Sequence, residues 1–295
     1  MDEITAVPEL RAWVAGRRAA GARVALVPTM GFLHEGHLAL VDEATRLADV
    51  TILSSFVNPL QFGPGEDLDH YPRDDERDRR LAAGRGVDLI FRPTVETMYP
   101  PSSEIRIVPG SAGADWEGTF RPGHFEGVLT VVAKLLHLVA PDLAVFGQKD
   151  IQQATLVRQM VRDLDWDLAI VVVPTVRESD GLAMSSRNVY LTPPERKQAL
   201  GLSRALMTAH DEWRGGERDA AAIEARMRAR LEVFDGLQTE YIGVLDPDGF
   251  HSVERVDDRT IVAVAGRVGQ TRLIDNIVLS RGLTLTTRPH QHAEG

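Results

Sequence analysis

Over its first two thirds the chain alternates short apolar runs with stretches of helical periodicity, and this alternation constrains the fold more than any other feature. Residues 23–27 form a compact apolar run that ends at Pro28, and residues 36–48 follow with helical spacing. Residues 50–57 (VTILSSFV) read as the next strand, closed by Asn58-Pro59; residues 74–83 read as an exposed charged helix, and residues 87–91 as a strand. Val128, Val131, Val132, Leu135, Leu136 and Val139 recur at i, i+3, i+4, i+7, i+8 and i+11, the clearest helix in the chain, ended by Pro141. Strand 143–146, helix 151–163 and strand 168–173 continue the pattern. Strands alternating with helices predict an α/β fold with a parallel sheet covered on both faces.

The pattern changes near Pro174, which sets the expected domains at 1–174 and 175–285. Helices over 194–213 and 218–233 are followed by strand candidates at 238–245, 260–264 and 271–278, the order expected of a smaller α+β unit. Residues 286–295 carry no apolar pattern and read as a disordered tail. Residues 100–126 are rich in Gly, Pro and Ser, with a short strand expected at 105–108; a stretch of this kind suits a lid or binding loop.

Composition narrows the function. The 295 residues contain no cysteine, which removes disulfides, thiolate metal sites and thiol nucleophiles. A formal net charge of −10 argues against general nucleic-acid binding. No apolar run approaches the ~20 residues of a membrane span, and the acidic start MDEITAVPEL lacks a signal-peptide stretch, so a cytoplasmic location is expected.

Four motifs carry chemistry. The first, PTMGFLHEGH at residues 28–37, lies between a predicted strand and a predicted helix, where ligands bind in open α/β sheets. Gly31 and Gly36 permit close backbone approach. His34 and His37 share one helix face, and the amides of a helix start favour phosphate. The same residues also suit a structural turn with two surface histidines, or a zinc pair lacking an obvious third ligand. The second motif, Gly147-Gln148-Lys149-Asp150, follows another strand and puts an ammonium at the same sheet edge; a solvated turn lysine is the alternative. Met184-Ser185-Ser186-Arg187-Asn188 offers hydroxyls and a guanidinium for phosphate, or a polar linker with a helix cap. The fourth, FVNPLQF at residues 56–62, supplies Gln61 to a hydroxy acid, with Asn58 read as turn chemistry; Gln153 stands one turn into the helix after Lys149.

Together these motifs resemble the pantothenate synthetase (pantoate–β-alanine ligase) family, part of the wider nucleotidyltransferase superfamily with an HxGH-type signature. The likeness runs through PTMGFLHEGH, FVNPLQFG, DLDHYPR, RPGHFEGVLTVVAKLL, FGQKDIQQ, VPTVRESDGLAMSSRN and VGQTRLIDNI, dense over residues 20–195 and thinner beyond. It implies ligation of pantoate and β-alanine through a pantoyl-adenylate, with AMP and pyrophosphate released, in the route to coenzyme A. It also implies a Rossmann-like N-terminal domain with a smaller α+β C-terminal domain, Mg²⁺ with ATP, and a homodimer.

Carried over by motif, Met30, Gly31, Phe32, Leu33, His34, Glu35, Gly36 and His37 would line the ATP site, with His37 catalytic and described in the family as a proton donor. His34 would stand beside it on the phosphates. Gly147, Gln148, Lys149 and Asp150 would also contact ATP, with Lys149 on the phosphates. Val176 would touch the nucleotide, and Met184, Ser185, Ser186 and Arg187 would close on the triphosphate. Gln61 and Gln153 would hold pantoate, and Gln61 would also contact β-alanine. The magnesium ligands stay open among Asp75, Glu76 and Asp78, as do a structural or substrate role for Arg121 and His124. Phe32, Leu60 and Ile151 depart from the family's usual residues without removing a polar contact. Another adenylyl- or cytidylyltransferase of the superfamily, and a non-catalytic nucleotide sensor, are the rival readings.

Overall fold

A computed structural model describes residues 1–283; the tail expected to be disordered, 286–295, lies outside them. Contacts divide the chain into two compact units. The first comprises Met1–Val173 with Asp248–Phe250, and the second takes up Pro174–Pro247 and the described chain from His251 onward.

The first unit is a six-stranded sheet with every pairing parallel. Its strands are β1 (Asp2–Ile4), β2 (Val24–Thr29), β3 (Val50–Ser55), β4 (Leu89–Phe91), β5 (Leu143–Gly147) and β6 (Ala169–Val173), in spatial order β1-β4-β3-β2-β5-β6. Helices α1 (Val7–Ala19), α2 (Glu35–Leu47), α3 (Asp75–Gly84), α4 (Val95–Met98), α5 (Glu117–Phe120), α6 (His124–Val139) and α7 (Ile151–Asp163) connect them. The expected α/β architecture is the observed one. All six residues of β3 are buried, as a strand covered on both faces requires.

The chain order fixes where a ligand can sit. β2 leads to β3 on one side, and the connection from β4 returns to place β5 on the other side of β2. The carboxyl ends of β2 and β5 therefore flank a topological switch point, where neighbouring loops diverge and leave a crevice.

Two elements escape the sequence pattern. Strand β1 is polar and exposed at the sheet edge, and α1 buries only Leu10 and Val14. One expected element is absent: residues 105–108 form no strand. Ile105 is 84% and Val108 71% exposed, and the Ile107 amide donates to Thr130 Oγ1 instead of to a strand. The surrounding segment is partly ordered into α5 and a 3-10 turn at Ser111–Gly113. Buried Gln152 on α7 accepts from the Glu117 amide and donates to the carbonyls of Ala112 and Asp115.

In the second unit, α8 (Pro193–Arg214) and α9 (Ala220–Leu231) accompany the antiparallel sheet β7 (Leu237–Leu245), β8 (Ile261–Val268) and β9 (Thr271–Val278). Thr192 and Glu195 form a reciprocal capping box that starts α8, followed at once by Pro193. Leu202, Leu206, Ile223 and Met227 pack with Val262, Val264 and Ile277 in one core. Beside it Arg177 makes a bidentate pair with Asp275, at 2.6 and 2.8 Å, with both side chains almost fully buried. Removing one partner strands a buried charge, so Asp275→Ala is expected to cost about 3–5 kcal/mol in urea unfolding. A loss below 1 kcal/mol would show that the pair is dispensable.

Candidate active site

The loop after β2 turns sharply. Gly31 (φ +81°) and Phe32 (φ +49°) are both left-handed, a conformation a bulky side chain such as Phe adopts only under constraint. Helix α2 then begins, and the two motif histidines form its cap. His34 Nδ1 accepts from the Gly36 amide at 3.1 Å, and His37 Nδ1 accepts from the His34 amide at 3.4 Å. This is a capping box made of imidazoles in place of a hydroxyl and a carboxylate. The rings stack with centroids 4.0 Å apart.

The cap also decides the chemistry of the rings. With Nδ1 an acceptor in each, a neutral ring carries its proton on Nε2. Burial holds the His34 pKa well below the ordinary value, helped by His37, Lys149 and Arg77. Burial likewise lowers His37 to about 4, opposed by Asp150 and aided by Lys149. Near pH 7 the pair is therefore two uncharged N–H donors.

Lys149 and Asp150 lie in the 3-10 turn Gln148–Asp150 between β5 and α7, with Nζ 4.0 Å from the Asp150 carboxylate. Lys149 acts on both imidazoles and Asp150 on that of His37, which places the second motif beside the first, across the switch point. Gly147 closes β5, and Gln148 is buried.

Gln61 is buried in the 3-10 turn Pro59–Gln61 after β3, and its Nε2 donates to Met30 Sδ at 3.3 Å. Asn58, which the sequence placed in turn chemistry, does more. Its Oδ1 accepts from the Leu60 amide and from Tyr99 Oη, while its Nδ2 donates to Gln61 Oε1 at 3.0 Å and to the Gly127 carbonyl. Asn58 therefore aims the Gln61 amide. The Gln61 backbone is fixed separately. Arg121 Nη1 lies 3.0 Å from His124 Nε2, which must accept, so His124 Nδ1 donates to the Gln61 carbonyl at 2.9 Å. Arg121 is itself held by a bidentate pair with Glu66. His124 and Arg121 thus secure the turn that bears Gln61. Gln153 is half-buried on the first turn of α7.

In the second unit, the Met184 amide donates to the carbonyl of buried Val176, closing a hairpin. Ser185 Oγ caps the 3-10 turn Ser186–Tyr190 by accepting from the Arg187 amide, the cap anticipated as the plainer reading of that motif. Glu178 accepts from Asn188 and pairs with Arg196, bracing the hairpin.

Among the three carboxylates left open for magnesium, Asp75 pairs with Arg92, Glu76 is exposed, and Asp78 is buried with both oxygens on backbone amides. Among the described residues no group of three His, Cys, Asp or Glu side chains could hold a metal ion, so the zinc alternative finds no third ligand. No helix of the described residues is long and apolar enough to cross a membrane.

A parallel sheet whose switch point carries two uncharged imidazole donors and an ammonium defines the class: an α/β enzyme built to handle a phosphorylated nucleotide. The chain belongs to the pantoate-β-alanine ligase family, whose profile matches residues 2–278. It is 48% identical over 279 residues to the pantothenate synthetase of Moorella thermoacetica, covering 95% of this chain and 99% of the relative. It is 50% identical to pantothenate synthetase 1 of Bradyrhizobium diazoefficiens, covering 95% and 99%. The structure of pantothenate synthetase from Thermus thermophilus superposes with a TM-score of 0.90 at 47% identity, covering 95% of this chain and 99% of that one. The Francisella tularensis pantoate-β-alanine ligase, complexed with β,γ-ATP and β-alanine, superposes at 0.76 with 31% identity, covering 96% and 100%.

Buried His124 makes stability depend on pH. Burial and Arg121 hold folded His124 at about 4, against ~6.5 when unfolded. Between these values the unfolded chain binds the extra proton, so the contribution is fully present above about pH 6.5 and is lost as pH falls toward 4. His124→Asn is expected to flatten the loss between pH 7 and pH 5 by roughly 2 kcal/mol or less, read from urea midpoints at both pH values. Equal slopes in wild type and variant would remove His124 from the linkage.

Proposed function

We propose that this protein joins pantoate to β-alanine through a pantoyl-adenylate, using ATP. The observation that carries the reading is the uncharged His34–His37 pair beside Lys149 at the switch point of a chain from this family. In the first step a pantoate carboxylate oxygen forms a bond to the α-phosphorus. The bond from that phosphorus to the bridging oxygen breaks, and pyrophosphate leaves with the electron pair. In the second step the β-alanine nitrogen attacks the acyl carbon, AMP departs with its oxygen, and the nitrogen loses a proton.

The first step moves negative charge outward onto pyrophosphate, so it calls for donors and cations rather than a nucleophile. His34 and His37 meet that need as neutral Nε2–H donors, and Lys149 as the compact cation. Burial lowers the His37 pKa to about 4, so near pH 7 the ring meets the phosphates as a neutral Nε2–H donor. Residues 30–37 and 147–150 are assigned to ATP. Gln61 and Gln153 are assigned to pantoate, and Gln61 also to β-alanine. Val176 and residues 184–187 are assigned to the nucleotide and its triphosphate by resemblance. Mg²⁺ would arrive on the triphosphate, which needs few protein ligands. A cytoplasmic homodimer completes the reading.

Exchange of labelled pyrophosphate into ATP should require pantoate and no β-alanine, and AMP should accumulate only when both are present. Exchange independent of pantoate would assign the chain to another reaction of the superfamily. Lys149→Ala and His37→Ala should each lower pantoate-dependent exchange by about 10²–10³, the usual loss for one preorganised donor. Exchange within threefold of wild type would remove that residue from the chemistry.

A further inference from the structure

The strained loop that precedes the histidines is held by a residue that no motif contains. Asp78 lies in the first turn of α3, a helix of otherwise exposed charge, yet it is 1% exposed. Its two carboxylate oxygens accept one hydrogen bond each from consecutive amides, Phe32 and Leu33, both at 2.7 Å. The neighbouring Arg77 grips the same loop by the opposite polarity, donating to the Leu33 carbonyl at 2.8 Å. The fit is close: a Cβ placed on Gly31 would stand 2.9 Å from Ser55 Oγ and 3.1 Å from Asp78 Oδ2.

Two successive left-handed residues point two successive N–H groups the same way. Such a concavity attracts an anion, and here the protein supplies its own. Three observations set Asp78 apart from a solvated helix carboxylate: its burial, its engagement of both amides, and the left-handed Phe32 that those bonds constrain. Burial raises its pKa while the two amides oppose the rise, as expected of a charged acceptor withdrawn from water. The residue after this loop is His34, whose ring caps α2 and stacks on His37.

We infer that Asp78 is a positioning residue: its carboxylate holds residues 31–33 in the turn that sets the imidazoles of His34 and His37 at the sheet edge. The inference rests on the ligase reading for its kinetic consequence. It also assigns Asp78 to the loop rather than to magnesium.

Asp78→Asn keeps the shape but offers only one acceptor oxygen and turns an amino group toward a backbone amide. It should lower kcat for pantoate-dependent pyrophosphate exchange by tenfold or more, with KM for pantoate changed by less than threefold. The Mg²⁺ concentration giving half-maximal rate should stay within twofold. Phe32→Gly accepts the left-handed turn without a side chain, so adding it should restore exchange at least threefold relative to Asp78→Asn alone. NMR titration should show the His34 and His37 imidazoles moving up toward ordinary values in Asp78→Asn while His124 stays depressed.

An exchange rate within twofold of wild type in folded Asp78→Asn would overturn the inference. So would full recovery on raising Mg²⁺, which would make Asp78 a metal ligand. Should Asp78→Asn fail to fold, Asp78→Glu, which keeps the charge but moves both carboxylate oxygens by one methylene, is compared with wild type, and an exchange rate within twofold of wild type would overturn the inference. If wild type shows no pantoate-dependent exchange, the ligase reading fails, and the imidazole titration still decides the role of Asp78.

Discussion

The parallel pairing of β2 with β3 on one side and β5 on the other is the constraint from which the site follows. Parallel strands all end at one edge, so the loops after β2, β3 and β5 emerge together. Those loops bear the imidazoles, Gln61 and Lys149. Because the chain reverses its lateral direction at β2, the loops after β2 and β5 part there, and nothing in the sheet itself fills the gap. The apolar runs that make these strands thus place polar residues far apart in sequence at one crevice. Ala25 beside Leu143 and Leu26 beside Ala144 set the register that brings residues 30–37 to residues 147–150.

Within that frame, desolvation does most of the electrostatic work. Histidine alone would be partly charged near neutrality. Here burial is the largest influence on both rings, and nearby Lys149 pushes the same way. The division of labour follows: one fixed positive charge on Lys149, and two neutral directional donors. Imidazolium ions stacked 4.0 Å apart would repel each other, whereas neutral rings can cap a helix and still present Nε2–H. A helix start that already favours anions through its amides then needs little further charge.

The strands rich in Val, Ile and Leu were legible in the sequence because burial on both faces demands continuous apolar runs, as in β3. Helix α6 was legible from its period. Strand β1 was not, since Asp2 and Glu3 occupy an exposed edge where no apolar pattern is required. Helix α1 was not, since it buries only Leu10 and Val14. The alternation IRIV at 105–108 looks like a strand, but a strand needs a neighbour and the Ile107 amide is taken by Thr130. In the site, glycines and histidines between a strand and a helix were readable as chemistry. Asp78 was not: it lies 46 residues from Phe32 in a run of charges, and only tertiary burial singles it out. Asn58 was half legible, because its turn-forming role hid its hold on Gln61.

The same turn of α3 explains how this chain carries a phenylalanine in a left-handed turn. A Phe in a left-handed turn loses conformational freedom and strains the backbone. Arg77 sits with its guanidinium 5.5 Å from the Phe32 ring centroid while it also donates to the Leu33 carbonyl. Cation–π contact of this kind is favourable by about 0.5–1 kcal/mol at exposed sites, comparable with the lower end of the strain that one such residue carries. Arg77 and Asp78 therefore act together: the guanidinium holds the side chain and the carbonyl, and the carboxylate holds the amides. An aromatic ring is tolerated at the mouth of the loop because the element beneath it supplies both a cation for its face and an anion for its backbone.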